Sequence, residues 1–244
     1  MIDLHYWPTP NGWKISIMLE ECGLPYTLKP VNIGRGEQFK PQFLAISPNN
    51  RMPAIVDHDP VGGGEPIALF ESGAILIYLA ERCGRFIGND LRSRHAVLQW
   101  LMWQMGGLGP MAGQNGHFLL YAPQKIPYAL KRYGDEVNRL YGVLDGQLAR
   151  TGAFVAGTHY SIADMAIFPW VRTHRAQQVP LEDFAHVQRW YQQLMQRAAV
   201  QRGIELGKEL RAAALDDEAR RALFGQTAQT LRDAAGKTTR ETPR

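Results

Sequence analysis

The amino-acid sequence predicts an α/β domain followed by an all-helical domain. Short strand-like runs alternate with helical patterns only up to about residue 86, and after residue 90 only helical patterns follow. A chain of 244 residues also has room for two domains of ordinary size. We therefore place the first domain at residues 1–86, the second at 90–205, and at 206–244 a C-terminal extension that is partly helical and then disordered.

The first elements form a β-α-β unit. Residues 2–7 are apolar and aromatic, as in a strand, and the turn formers of residues 8–12 stop that run. Apolar residues at helical spacing then lead to Cys22, and Gly23 with Pro25 ends the helix. Residues 26–31 predict a second strand, whose crossover from the first should be right-handed.

The rest of the first domain completes a recognisable order of elements. Residues 38–46 predict a short helix that ends in the turn formers of 47–50. Residues 53–56 and 67–70 predict two strands joined by a glycine-rich loop, and 71–83 predict a helix. The order β-α-β-α-β-β-α is that of a thioredoxin-like domain.

The second domain reads as a helical bundle. Its segments with apolar residues at i, i+3 and i+4 spacing are 92–105, 125–148, 162–174 and 187–198. Ser161 and Asp164 fit a capping box at the start of the third segment. In the extension we expect one further helix and then a disordered polar tail.

Composition and charge exclude several classes of protein. The net charge of +4 is spread over mixed acidic and basic helix surfaces, so we expect no nucleic-acid partner. No run is long and apolar enough for a membrane span and the first residues do not resemble a signal peptide, so we expect a cytoplasmic protein with no membrane partner. Cys22 and Cys83 are far apart in sequence, and no cluster has metal-ligand spacing, so we expect no disulfide framework and no metal.

The turn after the first strand is the strongest candidate for chemistry. Thr9 and Asn11 stand at the N-terminus of the first predicted helix, where free amides and the helix dipole favour an anion and lower the pKa of a thiol. Their hydroxyl and amide groups are donors suited to a thiolate. The alternative is that both residues merely cap the helix.

Two further junctions carry polar groups of the same kind. A cis peptide bond before Pro53 would leave the Met52 backbone open to an extended peptide, whereas a trans bond would simply start an edge strand. Ser72 follows a strand and precedes a helix, so it is suited to capping that helix and to holding a carboxylate there. Glu71 beside it is suited to an ammonium group, although an acidic first turn is also ordinary in a helix.

Together these motifs resemble the glutathione transferase superfamily over roughly residues 1–205. Thr-Pro-Asn-Gly at 9–12, Ser-Pro-Asn-Asn at 47–50, Phe-Glu-Ser-Gly-Ala-Ile at 70–75 and Gly-Gly-Leu-Gly-Pro-Met at 106–111 are similar to the bacterial Nu-class glutathione-dependent disulfide-bond oxidoreductases. The resemblance implies a homodimer with a glutathione transferase fold, with glutathione as substrate or bound co-substrate and a small disulfide or electrophile as second substrate. The resemblance implies that Thr9 and Asn11 face the glutathione sulfur and that Arg132, from the helical domain, closes over the site. It also implies that the rest of the tripeptide is bound by Gln38, Arg51, Met52, Pro53, Glu71 and Ser72.

The residues alone do not decide between three functions. The first is disulfide reduction by bound glutathione without a protein cysteine. The second is conjugation of glutathione to a hydrophobic electrophile in a cleft lined by residues 103–118 and Trp170. The third is a non-catalytic glutathione-binding module. Tyr6, the residue type that activates the thiol in other transferase classes, lies inside a predicted strand, where packing is the more ordinary role.

Overall fold

The computed structural model of the protein describes residues 1–210 and 215–238. The N-terminal half contains β1 (Ile2–Tyr6), α1 (Pro10–Cys22), β2 (Tyr26–Pro30), 3-10 turns at Ile33–Arg35 and Glu37–Phe39, α2 (Pro41–Leu44), β3 (Ala54–Asp57), β4 (Ile67–Phe70) and α3 (Ser72–Cys83). This order confirms the thioredoxin-like pattern predicted from the sequence.

The four strands form one mixed sheet in the order β2-β1-β3-β4. β1 runs parallel to β2, with Ile2 opposite Tyr26, whereas the pairs β1 with β3 and β3 with β4 are antiparallel. The parallel pair requires a crossover, which α1 provides. The C-terminal end of β1 and the N-terminus of α1 therefore meet at one edge of the sheet.

The C-terminal half is helical, as predicted. It contains α4 (Leu91–Trp103), a π-helical turn at Gln104–Leu108, α5 (Gly109–Gly116), a second π turn at His117–Tyr121, α6 (Pro127–Thr151), α7 (Ile162–Val171), a 3-10 turn at Leu181–Asp183, α8 (Ala185–Met195) and α9 (Ala198–Glu205). The boundary of the two domains at residues 86–90 stays a prediction.

α1 joins the two halves. A Cβ atom on Gly203 of α9 would lie 2.7 Å from the Ile17 backbone, so only glycine allows this approach of the two helices. Ser16 Oγ donates to the Gly203 carbonyl at 2.7 Å, and Arg197 makes a two-pronged ion pair with Glu21 at 2.6 and 2.8 Å. These contacts attach the middle and the C-terminal end of α1 to the helical half, whereas β1 leads directly into its N-terminus.

The predicted capping box at the start of α7 is present. The Asp164 carboxylate accepts from the Ser161 and Val155 backbone N–H groups at 3.0 and 2.9 Å and from Trp190 Nε1 at 2.9 Å. Burial raises the pKa of Asp164 to about 6, against the opposing effect of these hydrogen bonds. The box therefore also ties α7 to α8 inside the core.

The two cysteines are neighbours in the fold, although they are distant in sequence. Cys22 ends α1 and Cys83 ends α3, and their Sγ atoms lie 2.9 Å apart as free thiols. Burial and the contact with Cys83 raise the pKa of the Cys22 thiol. Both side chains are half-buried.

The C-terminal extension contains more helix than expected. A 3-10 turn at Lys208–Leu210 is followed by α10 (Asp217–Phe224) and α11 (Ala228–Thr238), two helices in place of the single one expected. The tail at residues 239–244, for which we expect disorder, lies outside the described residues.

Among the described helices, none combines the length and the apolar character that crossing a lipid bilayer requires. In the same part of the chain, no group of three or more His, Cys, Asp or Glu side chains is placed to hold a metal ion.

Candidate active site

A cleft of about 610 Å³ lies between the sheet edge and the helical half. The N-termini of α1 and α3 open into it, as does the turn before β3. All the predicted site residues except Arg132 line it, namely Thr9, Asn11, Gln38, Arg51, Met52, Pro53, Glu71 and Ser72. This volume is in the range of small-molecule sites.

Thr9 caps α1, and its hydroxyl points at the sulfur atom of Met52. Its Oγ1 accepts from the Gly12 N–H at 3.4 Å and donates to the Met52 thioether sulfur at 3.7 Å. A thioether is a weak acceptor, so a ligand thiolate would be the better partner for the same proton. Capping and sulfur binding, posed as alternatives by the sequence, are therefore compatible in Thr9.

Asn11 is oriented by a residue that the sequence did not link to it. Its Oδ1 accepts from Trp170 Nε1 at 3.1 Å, which turns the Nδ2 amide away from that contact. Within residues 1–210 and 215–238, neither Nδ2 nor the backbone N–H of Asn11 has an acceptor. Two free donors thus stand at the positive end of α1, where an anion is favoured.

The Met52–Pro53 peptide bond is cis. Met52 is half-buried at the cleft, and its backbone N–H and C=O have no partner in the part of the chain that the structure describes. An extended peptide segment can therefore pair with Met52 as a strand would.

The N-terminus of α3 differs from the prediction in one respect. Glu71, not Ser72, is the N-cap residue, and it holds a left-handed φ of 67° that a side chain rarely adopts. Ser72 is the first helical residue. The N–H groups of Ser72 and Gly73 have no acceptor among the described residues, so they are open to a carboxylate.

A buried lysine lies directly beneath Ser72. Lys14 Nζ donates to Gln104 Oε1 at 2.6 Å and to Ser72 Oγ at 3.3 Å, and it contacts Met105 Sδ at 3.3 Å. Burial lowers the pKa of Lys14 to about 7, and the charge of Glu71 opposes that shift. The sequence does not indicate that Lys14 is buried at the site, because a lysine in a predicted helix is ordinarily exposed on its surface.

Gln38 is enclosed at the opposite end of the cleft. Its side chain is 1% exposed and its Nε2 donates to the carbonyls of Ile33 at 3.2 Å and Ala222 at 3.4 Å. Its Oε1 has no partner among the described residues. A buried acceptor of this kind is costly unless a ligand donor satisfies it.

Tyr6 and Arg132 both lie away from the cleft lining, as expected for Tyr6 but not for Arg132. Tyr6 is fully buried and its hydroxyl donates to the Leu206 carbonyl at 3.0 Å, so it does not face the cleft. Arg132 lies on the outer surface of α6, where its guanidinium is 3.7 Å from the Glu136 carboxylate. Arg132 does not line the cleft, and its predicted role stays a prediction.

The helical wall of the cleft is built from α5, its flanking π turns and α7. The first π turn provides Met105 and the second provides Leu120 and Tyr121. Such wide turns occur where a helix is shaped for a site, and here Pro110 removes one N–H from the helical ladder. A Cβ on Gly113 would be 3.4 Å from the Trp170 ring, so α5 packs directly on the tryptophan.

The C-terminal extension contributes the remaining wall. Leu223, Phe224 and Gln226 line the cleft, although no local pattern in the sequence pointed to them. They lie beyond the core of both predicted domains, and only the tertiary structure brings them there.

Comparisons with known proteins agree with this architecture. The family model described as the glutathione S-transferase N-terminal domain matches residues 9–82, and the one described as the glutathione S-transferase C-terminal domain matches 111–198. The disulfide-bond oxidoreductase YfcG of Escherichia coli K12 is 52% identical over 218 residues, which cover 89% of this chain and 98% of YfcG.

Two solved structures of similar fold contain bound glutathione or glutathione disulfide. A glutathione transferase family member from Pseudomonas fluorescens with two glutathione bound is 44% identical, with a TM-score of 0.79 over 84% of this chain and 92% of that one. A glutathione transferase from Pseudomonas putida with one glutathione disulfide bound per subunit is 45% identical, with a TM-score of 0.80 over 84% of this chain and 91% of that one.

Proposed function

Because the chain belongs to the glutathione S-transferase family, we propose that it is a glutathione-dependent disulfide-bond oxidoreductase that uses the thiolate of bound glutathione in place of a protein cysteine. The name of YfcG and the glutathione disulfide bound in the Pseudomonas putida protein support this activity. The observation that carries the proposal is the pair of free Asn11 donors beside the Thr9 hydroxyl at the N-terminus of α1.

The open polar groups of the cleft match the parts of glutathione. The unpaired Met52 backbone suits the cysteinyl residue, the free amides of Ser72 and Gly73 suit the γ-glutamyl carboxylate, and exposed Glu71 suits its ammonium group. Gln38 Oε1 suits an N–H donor, and Arg51 adds a positive charge at the rim. Each of these residues is assigned here as a proposal.

The reaction consists of two thiol-disulfide exchanges. The thiolate of one glutathione attacks a disulfide RSSR, so that a new sulfur–sulfur bond forms, the old one breaks, and RS⁻ leaves and takes up a proton. A second glutathione thiolate attacks the mixed disulfide in the same way. Two glutathiones are thereby oxidised to glutathione disulfide and RSSR is reduced to two RSH.

The role of the protein is to raise the thiolate fraction of glutathione and to place its sulfur. Thr9, Asn11 and the α1 dipole stabilise the negative charge, in the way that helix N-termini lower the pKa of cysteine thiols. Neither Cys22 nor Cys83 lines the cleft, and the raised pKa of Cys22 disfavours its thiolate.

The direct test replaces both cysteines. We expect the Cys22→Ser, Cys83→Ser double variant to keep its glutathione-dependent reduction of a small disulfide within about twofold, because no protein thiol takes part in the exchange. Loss of that activity in a variant that still folds, as judged by its thermal unfolding, would overturn the proposed mechanism.

Conjugation of glutathione to a hydrophobic electrophile is the second candidate. The apolar wall of Met105, Leu120, Tyr121 and Trp170 favours it, because an aromatic acceptor would be enclosed there. Parallel assays with a small disulfide and a chloronitroaromatic acceptor distinguish the two, since turnover of the acceptor alone would favour conjugation.

We also propose a cytoplasmic homodimer. Exposed apolar side chains on β4, α4 and α6 support an interface there: Phe70 is 37%, Met102 52% and Tyr128 79% exposed. Arg132 lies one turn after Tyr128 on α6, so an interface on this face would present Arg132 to the partner copy rather than to its own cleft. Sedimentation of the purified protein tests the dimer.

A further inference from the structure

The segment 216–226, here called the cap segment, is attached to the first domain. Arg35 pairs with Asp216 at 2.9 Å and also with Glu218. Ala219 is only 7% exposed, and a Cβ on Gly34 would lie 3.3 Å from its methyl group. The start of α10 is therefore packed on the 3-10 turn that follows β2.

The same segment is attached to the helical half. Arg220 donates to the Tyr121 carbonyl at 3.1 Å. The ring of Phe224 lies with its centroid 4.9 Å from His117 and 5.2 Å from Tyr121. Because it is held on both sides, the cap segment spans the cleft from one half of the protein to the other.

Polar groups on the inner face of the cap segment meet the part of the cleft assigned to glutathione. The Ala222 carbonyl accepts from Gln38 Nε2 at 3.4 Å, and Gln226 Oε1 accepts from Asn50 Nδ2 at 3.1 Å. Asn50 is 7% exposed with a left-handed φ of 48°, so this contact belongs to an ordered, enclosed corner. The cap segment is thus built into the site rather than lying loosely over it.

We propose that the cap segment forms the outer wall of the second-substrate half of the site, the half lined by Met105, Leu120, Tyr121 and Trp170, and that Leu223 and Phe224 restrict the enzyme to low-molecular-weight disulfides. This rests on the proposed function. A disulfide in a folded protein is flanked by backbone on both sides, and it would have to pass the cap segment, which spans the cleft, to reach Thr9 in the same cleft. A small disulfide fits in the cleft of about 610 Å³ and contacts the apolar faces of both residues.

The test compares full-length variants on two disulfides, 2-hydroxyethyl disulfide and insulin. Leu223→Ala with Phe224→Ala removes the apolar wall, and Ala219→Arg detaches the cap segment from Gly34 and repels Arg35. Leu231→Ala is the matched control, because this leucine lies in α11 of the same extension and outside the cleft lining. We expect both cap variants, but not the control, to shift the ratio of kcat/KM toward insulin by about tenfold.

An unchanged ratio in both cap variants would overturn the inference. A wild-type protein that reduces neither disulfide would instead overturn the proposed function, and binding then tests the cap segment without turnover. We expect the wild-type protein to bind S-hexylglutathione more tightly than S-methylglutathione. In the Leu223→Ala, Phe224→Ala variant the ratio of these two affinities should fall by about fivefold or more, because the hexyl chain loses apolar contacts. An undiminished advantage would contradict the placement of these side chains in the second-substrate half.

Discussion

At the scale of single residues, the site depends on how Asn11 is held. The sequence pointed to Thr9 and Asn11 because both are donors at a strand-to-helix junction. It could not show that Trp170, 159 positions away, orients the amide through a hydrogen bond that Trp170 Nε1–H donates to Asn11 Oδ1. We therefore infer that Trp170 acts through Asn11 as a positioning residue.

Replacing Trp170 by phenylalanine tests this role. Trp170→Phe keeps the aromatic wall but removes the Nε1 donor, so we expect kcat/KM to fall about fivefold, the equivalent of one ordinary hydrogen bond of about 1 kcal/mol. The pKa of bound glutathione should rise as well, which a merely structural change would not produce. Trp100→Phe, outside the cleft lining, is the control, and equal effects of the two substitutions would contradict the role of Trp170.

We expect Lys14 to make ligand binding depend on pH. Its pKa of about 7 lies below the ordinary value of 10.5, so the folded protein releases this proton before the unfolded chain does. Stability contributed by this group therefore rises with pH between those values. A carboxylate bound at Ser72 would favour the protonated form of Lys14, so we expect the affinity for that carboxylate to fall as pH rises through about 7.

S-methylglutathione isolates this effect because it has no thiol to titrate. We expect its affinity to fall between about pH 6 and pH 8, and Lys14→Met to flatten the profile, since the ammonium charge is then absent at every pH. Calorimetric titration at several pH values is the measurement. A slope that persists in Lys14→Met would assign the pH dependence to another group.

At the scale of elements, the capping box of α7 is the main polar anchor of the helical half. Asp164→Ala leaves two backbone N–H groups and Trp190 Nε1 without an acceptor in the core, so we expect the free energy of unfolding to fall by about 3 kcal/mol or more. Urea unfolding measures it. Asp90→Ala removes the exposed cap of α4, and we expect it to lower the free energy of unfolding by clearly less. An equal loss in the two variants would show that the α7 capping box is not a special anchor.

Elements with a strong local signal could be predicted from the sequence, and irregular ones could not. The strands and the helices α1 and α3 have clear periodicity and glycine stops, and they lie where predicted. The π turns around α5 have no periodicity of their own, so they were missed. The segment 187–198 predicts a helix that runs to Ala198, whereas α8 ends at Met195 and a separate helix, α9, begins at Ala198.

The N-terminus of α3 shows a similar limit within one element. The sequence placed Ser72 at the cap because serine is a common capping residue. The left-handed backbone of Glu71 moves the cap one residue earlier and frees the Ser72 hydroxyl for Lys14. A backbone conformation that side chains disfavour cannot be read from residue preferences.

At the scale of the whole molecule, the features missed by the sequence are contacts between distant segments. The cap segment meets residues near position 35, and Cys22 meets Cys83, across separations that carry no local pattern. The thiol pair also shows why sequence distance does not exclude proximity. It lies at the opposite end of α1 from Thr9, so the chemistry proposed for the cleft does not need it.

The most direct measurement is the pKa of glutathione bound to the full-length protein, followed by the ultraviolet absorbance of its thiolate. We expect the bound thiol to have a pKa at least about one unit below that of free glutathione, and the Thr9→Ala, Asn11→Ala double variant to return it toward the free value. A bound thiol as weakly acidic as free glutathione would contradict the account, because the α1 N-terminus would then not stabilise the thiolate.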